Sequence, residues 1–283
     1  PVTGPAWASF QTGVNPGKHG IYDWGSSEEG SYRTGVVDSS SIKVNTIWEL
    51  LSREGLRSGV VGVPVTYPPR EINGFMTTGL LTPNDVDNYV YPEDLKGKLE
   101  NSVGKYQVAP THAEMAVNTK SWIKDLKNSI ANREKTGLYL LENEDWDLGM
   151  VYFMETDTVM HHLFHTIEKS SYYDKKNNNS GVKRPVLEIF KRVEEAVEKI
   201  ISKAATEDTT VILVSDHGFG ELDWIFNVNS WLLSKGYLRL KNSAGSKIKK
   251  IAHKIGLNQR NLYKLGDMLG PLGKGMERDM EGI

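Results

Sequence analysis

The chain has 283 residues, 39% hydrophobic and 25% charged, with 34 Lys and Arg against 36 Asp and Glu and a formal net charge of -2. A chain of this size buries a core without staples, and its balance excludes a disordered or fibrous protein and a nucleic-acid binder driven by bulk charge. It has no cysteine, which excludes thiol catalysis, thiolate metal sites and disulfides, so any metal must be held by His, Asp, Glu or hydroxyl groups.

In chain order, Pro5 to Phe10 reads as a short helix with Thr3 just before it, and Asn15-Pro16-Gly17 as the turn that follows. Asn45 to Arg53 reads as a helix, Ser58 to Val65 as a buried strand, Gly74 to Leu81 as a further strand and Lys120 to Arg133 as a helix. Asp147 to Met154 (DLGMVYFM) is the next apolar strand, followed by a helix from Thr156. Pro185 to Ala205 is a long amphipathic helix with Val186, Ile189, Phe190, Val193, Val197, Ile200 and Ile201 at helical spacing. Thr209 to Val214 (TTVILV) reads as the clearest strand, and Asn229 to Lys235 as a helix. Strands separated by helices predict an α/β fold, a mostly parallel central sheet with helices on both faces. The polar run Lys175–Lys183 is expected to be a surface loop, and the basic residues 241–254 a solvated amphipathic helix or the start of an insertion. Residues 66–146, with Pro68-Pro69, Pro83, Pro92 and Pro110, are less regular and are expected to form a cap or insertion beside the site.

Open parallel sheets bind ligands beyond the carboxyl ends of their strands. Two such places carry an Asp and a His. After DLGMVYFM, Asp157 and His161 are four apart, on one face of a helix. After TTVILV comes Ser215-Asp216-His217-Gly218-Phe219-Gly220, where Asp216 and His217 suit a borderline cation and the glycines permit close backbone approach. Two carboxylate–imidazole pairs suggest two metal ions, a common device for phosphoryl chemistry. The blander alternatives are a His-rich surface helix, since His162 and His165 lie close by, and a turn Asp beside an exposed His. Thr3 suits the remaining role of nucleophile, because a helix start favours a phosphate or alkoxide nearby; taken alone it is also an ordinary helix cap.

The stretch from Thr3 to Ile21 (TGPAWASFQTGVNPGKHGI) resembles the nucleophile segment of the type I phosphodiesterase/nucleotide pyrophosphatase family of the alkaline phosphatase superfamily. Thr3, Pro5, Thr12, Gly13, Pro16, His19 and Gly20 meet that family's pattern, and the Asp157/His161 spacing and the Ser215–Gly218 run follow in the family's order. Phe226 to Leu232 is similar to the archaeal and bacterial branch. The resemblance implies an alkaline-phosphatase-like domain over residues 1–283 and a metal-dependent phosphoric ester hydrolase. In it Thr3 is the nucleophile, Asp157 and His161 hold one zinc, and Asp216 and His217 hold the other, which also contacts Thr3; manganese is the alternative metal. His19 would fix the turn after the nucleophile helix. The substrate implied is a small phosphate ester or nucleotide-like molecule, with no nucleic acid and no membrane segment, and a cytoplasmic setting is expected.

The sequence departs from the family pattern in three places. An upstream Asp ligand and a downstream His ligand have no counterpart, His253 being in the wrong setting, and Ala6 stands where nucleotide pyrophosphatases carry Asn. The chain is therefore expected to be truncated at both ends, with an inactive fragment left open as an alternative to an active enzyme. The alternatives left open are a phosphomonoesterase, sulfatase-like or phosphoglycerate mutase-like member, or an inactive metal-stabilised binding module.

Overall fold

The computed structural model describes residues 2–27, 34–110, 119–167, 183–220, 224 and 226–239. Among them the chain forms α1 (Thr3–Thr12), α2 (Pro16–His19), β1 (Gly25–Ser27), β2 (Thr34–Val36), α3 (Ile47–Arg53), β3 (Ser58–Val61), β4 (Gly74–Thr77), β5 (Val90–Tyr91), α4 (Leu95–Val103), α5 (Thr119–Asn143), β6 (Leu148–Val151), α6 (Glu155–Ile167), α7 (Lys183–Ala204) and α8 (Val228–Ser234). Two compact units divide the chain, Pro1–Glu221 and Leu222–Ile283. The first holds every element but α8, and all the candidate site residues.

This unit is α/β, with a mixed, mostly parallel sheet in the order β5-β4-β3-β6. β3 pairs parallel with β4 and β6, and β5 pairs antiparallel with β4. Side chains alternate across a strand, and the two faces are covered by different helices. Val60 packs with Trp7 of α1, Trp48 of α3 and Met76, with Met150 at its margin. Its neighbour Val61 joins Phe75, Leu95 and Leu99 of α4, and Leu140 and Leu141 of α5. Helices therefore lie on both faces, as expected. Gly59 leaves the room that Phe75 fills: a Cβ there would stand 2.3 Å from the ring. Behind the sheet, Trp122, Leu126 and Ile130 of α5 meet Val159 of α6 and Val186, Ile189 and Ala196 of α7 in a separate apolar cluster.

The amphipathic pattern fixes α7 to within two residues of expectation, and α5 runs ten residues past the expected end at Arg133. Residues 66–146 contribute β4 and β5 to the sheet and α4 and α5 to one of its faces. One expected strand is absent. Thr209–Val214 is not a strand. Val211, Ile212, Leu213 and Val214 are 48%, 78%, 77% and 52% exposed, and Val211, Ile212 and Leu213 line an open groove of about 840 Å³ shared with Trp146, Leu148 and Val151. A short β-branched run matches a strand by composition, but a strand exists only where its backbone is paired. Asp216 and His217 are thus carried on a loop. Residues 241–254, and Lys175–Lys183 except for Lys183 at the start of α7, lie outside the described residues.

Candidate functional site

Thr3 is not ahead of α1, as the sequence suggested, but is its first residue; Val2 occupies the cap position with φ -124° and ψ 134° and makes no side-chain cap. The Thr3 hydroxyl is therefore not spent on closing the helix. Its Oγ1 lies 3.2 Å from Nε2 of His217, a contact across 214 residues of chain. α1 is held firmly behind it. Trp7 is buried at 3% exposure and meets Tyr152 edge-on at 5.0 Å. Gln11 donates from Nε2 to the Pro64 carbonyl at 2.7 Å. Gly13 ends the helix in the left-handed region at φ 67°, where a side chain would be strained.

His19 takes the structural role expected of it. It is fully buried, its Nδ1 accepts from the Ile21 amide at 3.1 Å, and its Nε2 lies 3.0 Å from Ser9 Oγ. With Nδ1 accepting, the ring proton sits on Nε2 and is donated to Ser9. Burial lowers its pKa.

β6 ends at Val151, and after three intervening residues Glu155 opens α6. Thr158 Oγ1 donates to the Met154 carbonyl at 3.0 Å, tying the first turn to the strand exit. One turn apart, Asp157 Oδ1 and His161 Nε2 are 3.4 Å from each other. His162 points elsewhere: its Nδ1 is 2.8 Å from the Thr158 carbonyl and its ring meets Trp122 edge-on at 5.3 Å. The His165 side chain lies outside the described residues.

The loop after residue 214 brings the two pairs together. Asp157, His161 and His217 offer ligand atoms all within 4.8 Å of one another. His217 Nε2 is 3.5 Å from Asp157 Oδ1 and 3.6 Å from Asp216 Oδ2. Asp157 thus stands between both imidazoles rather than serving His161 alone. His217 Nδ1 is 3.0 Å from the Gly218 carbonyl; a ring N–H donated there leaves the Nε2 lone pair facing the carboxylates. This is how metal-binding imidazoles are usually oriented. Asp157 Oδ1 and Asp216 Oδ2 are buried with no hydrogen-bond partner among the described residues. Burial pushes the Asp157 pKa up and the Asp216 charge adds to that, against the lowering pull of His161 and His217. Buried carboxylate oxygens without donors are costly alone and suited to a divalent cation. The donor set of Asp157, His161 and His217 fits such an ion, with Asp216 beside His217.

Three groups around the site were not singled out from the sequence. Phe219 meets the rings of His161 and His217 edge-on at 4.9 Å and 5.3 Å. Tyr152 packs on Trp7 and has its pKa raised, first by burial and then by the charges of Asp157 and Asp216. Glu155 is buried, accepts from Ser129 Oγ at 2.6 Å, and has its pKa raised by burial against the lowering influence of Arg133. Arg133 is itself buried and donates to the Tyr106 hydroxyl and, at 2.8 Å, to the Val108 carbonyl. A charged residue directly after an apolar strand was the available signal for Glu155. Phe219 gave none beyond its place two residues after His217.

A hydroxyl on the first turn of a helix thus lies against a cluster of carboxylates and imidazoles, an arrangement compatible with phosphoryl chemistry. The model of the type I phosphodiesterase / nucleotide pyrophosphatase family matches residues 1–267, a span that includes every residue of this cluster. The chain belongs to that family, and its membership supports a phosphoric ester hydrolase. No curated protein and no solved structure matched the chain. Among the described residues no helix is long and apolar enough to cross a membrane.

Proposed function

We propose that this chain carries the site of a metal-dependent hydrolase of small phosphate esters or nucleotide-like diesters, with Thr3 as nucleophile. The observation that carries the reading is the 3.2 Å approach of Thr3 Oγ1 to His217 Nε2, which brings the helix-start hydroxyl to the carboxylate–imidazole cluster. Asp157 and His161 would hold one divalent ion, and Asp216 and His217 a second, zinc by the mixed oxygen and nitrogen donors, with manganese as the alternative. Bound there, such ions would lower the proton affinity of the hydroxyl and neutralise charge on the transferring group.

Thr3 Oγ then attacks phosphorus in line, and the bond to the ester leaving group breaks. The Thr3 proton leaves to solvent, and the departing oxygen takes one from solvent. The free amides of Thr3 and Gly4 at the start of α1, Pro5 having none, would offer donors and a favourable dipole to the phosphoryl oxygens. Water next attacks the phosphothreonine ester, releasing phosphate or a monoester and restoring the hydroxyl. The role of α1 is to hold Oγ1 still, through Trp7 and Gln11, while these bonds exchange.

The test is hydrolysis of an aryl phosphodiester by chelated protein with zinc or manganese restored. Thr3→Ala and Asp216→Asn should each lower turnover by more than about a thousandfold. Wild-type protein that binds metal yet turns over no diester, monoester or sulfate ester would overturn the hydrolase reading in favour of a binding module.

A further inference from the structure

The two imidazoles of the cluster are oriented by different means. His217 is 9% exposed, and its Nδ1 is anchored at the Gly218 carbonyl. His161 is 57% exposed, and among the described residues its ring makes no hydrogen bond. Asp157 Oδ1 is 3.4 Å from its Nε2, on the side where a cation would sit. An imidazole on an exposed helix face has several rotamers open to it, and ordering one of them opposes metal binding.

What the ring touches most closely is Phe219, with the His217 ring farther off at 6.2 Å between centroids. The two rings meet edge-to-face at 4.9 Å and an interplanar angle of 80°. Phe219 also meets His217 at 5.3 Å and 64°, and stacks on Phe164, one turn beyond His161 on α6, at 6.4 Å and 28°. Phe219 is thus wedged between the loop that carries Asp216 and His217 and the helix that carries Asp157 and His161. Edge-to-face contacts of this kind are directional, so they select a ring orientation where no hydrogen bond does.

We propose that Phe219 is a positioning residue that fixes the His161 imidazole for cation binding, in place of the backbone or carboxylate partner that usually orients such a ring. The inference rests on the cation-binding reading of the cluster. It predicts that Phe219 acts through His161, not through general stability.

The test is titration of the metal-free full chain with Co²⁺, followed by its visible absorption, for wild type, Asp157→Asn, Phe219→Leu, Phe219→Tyr, His161→Ala and the double variant Phe219→Leu/His161→Ala. Circular dichroism and thermal melting without metal check that each variant is folded. Phe219→Leu should weaken Co²⁺ binding by about tenfold or more, the range seen when a ligand-orienting group is lost. Phe219→Tyr, which keeps the ring, should bind like wild type. Against the His161→Ala background, Phe219→Leu should cause no further loss, because the ring it orients is gone. Equal losses in both backgrounds, or wild-type affinity in Phe219→Leu, would overturn the proposal while leaving the cation site standing. Wild type that shows no Asp157-dependent Co²⁺ binding would overturn the cation reading itself, and the proposal with it.

Discussion

Asp157 shows the conflict between folding and binding within one side chain. Its half-buried carboxylate feels the charge of Asp216, and its buried Oδ1 lacks a donor among the described residues. Its folded pKa is raised above 3.8, so without a cation its ionised form opposes folding at neutral pH, and the folded state gains as pH falls through that raised value. Asp157→Asn is therefore expected to make the metal-free protein more stable by about 1 kcal/mol, and to remove any rise in melting temperature on adding metal. A metal-free variant melting below wild type would contradict this. His19 has the opposite sign. Burial depresses its pKa below 6.5, so its contribution is present above that value and lost as pH falls through the lowered one. Urea midpoints of wild type should decline from pH 7 to pH 5, and His19→Gln, less stable at pH 7 by about 1–2 kcal/mol, should show a flatter profile. At this scale the sequence was informative: Thr3, Asp157, His161, Asp216 and His217 all appear in recognisable spacing. What spacing could not reveal is that Asp157 is shared between two imidazoles, or that Phe219 lies across both, since both facts depend on how a loop folds back onto α6.

At the scale of elements, strongly periodic segments were legible and weakly patterned ones were not. α7 follows from its apolar stripe, and β3 and β6 from their apolar runs. β1 and β2 (GSS and TGV) lack apolar alternation, and β5 is only two residues long, so neither period nor length marks them. The segment Thr209–Val214 failed in the other direction. Its composition suits a strand, but it forms none and pairs with no strand among the described residues, and its apolar side chains are exposed. β3 also makes a steric prediction. An alanine at Gly59 would place its Cβ 2.3 Å from the buried Phe75 ring, so Gly59→Ala should destabilise by about 1–3 kcal/mol. Gly97, inside α4, has nothing within 4 Å of the corresponding position, and Gly97→Ala should stabilise by roughly 0.5–1 kcal/mol. Chemical denaturation of the pair checks both signs at once.

For the whole molecule, the cluster joins residues that start α1, open α6 and follow α7, so a cation bound there links distant parts of the chain. A ligand held only by the folded state stabilises it by about 2.7 kcal/mol at a hundred times its dissociation constant. Saturating zinc or manganese should therefore raise the melting temperature of wild type by several degrees, and that of Asp157→Asn scarcely at all. The fold class was legible because a β–α alternation with apolar strands admits few other solutions. The division at Glu221 was not, because no shift in composition marks it. The central claim is that Thr3 forms a bond to phosphorus. The most direct measurement is acid quenching of the metal-loaded protein during turnover of an aryl phosphodiester, followed by peptide mass spectrometry. A phosphoryl or phosphoryl-ester adduct is expected on Thr3 and is expected to be absent from Thr3→Ala. Turnover with no adduct on Thr3, or an adduct on another residue, would contradict it.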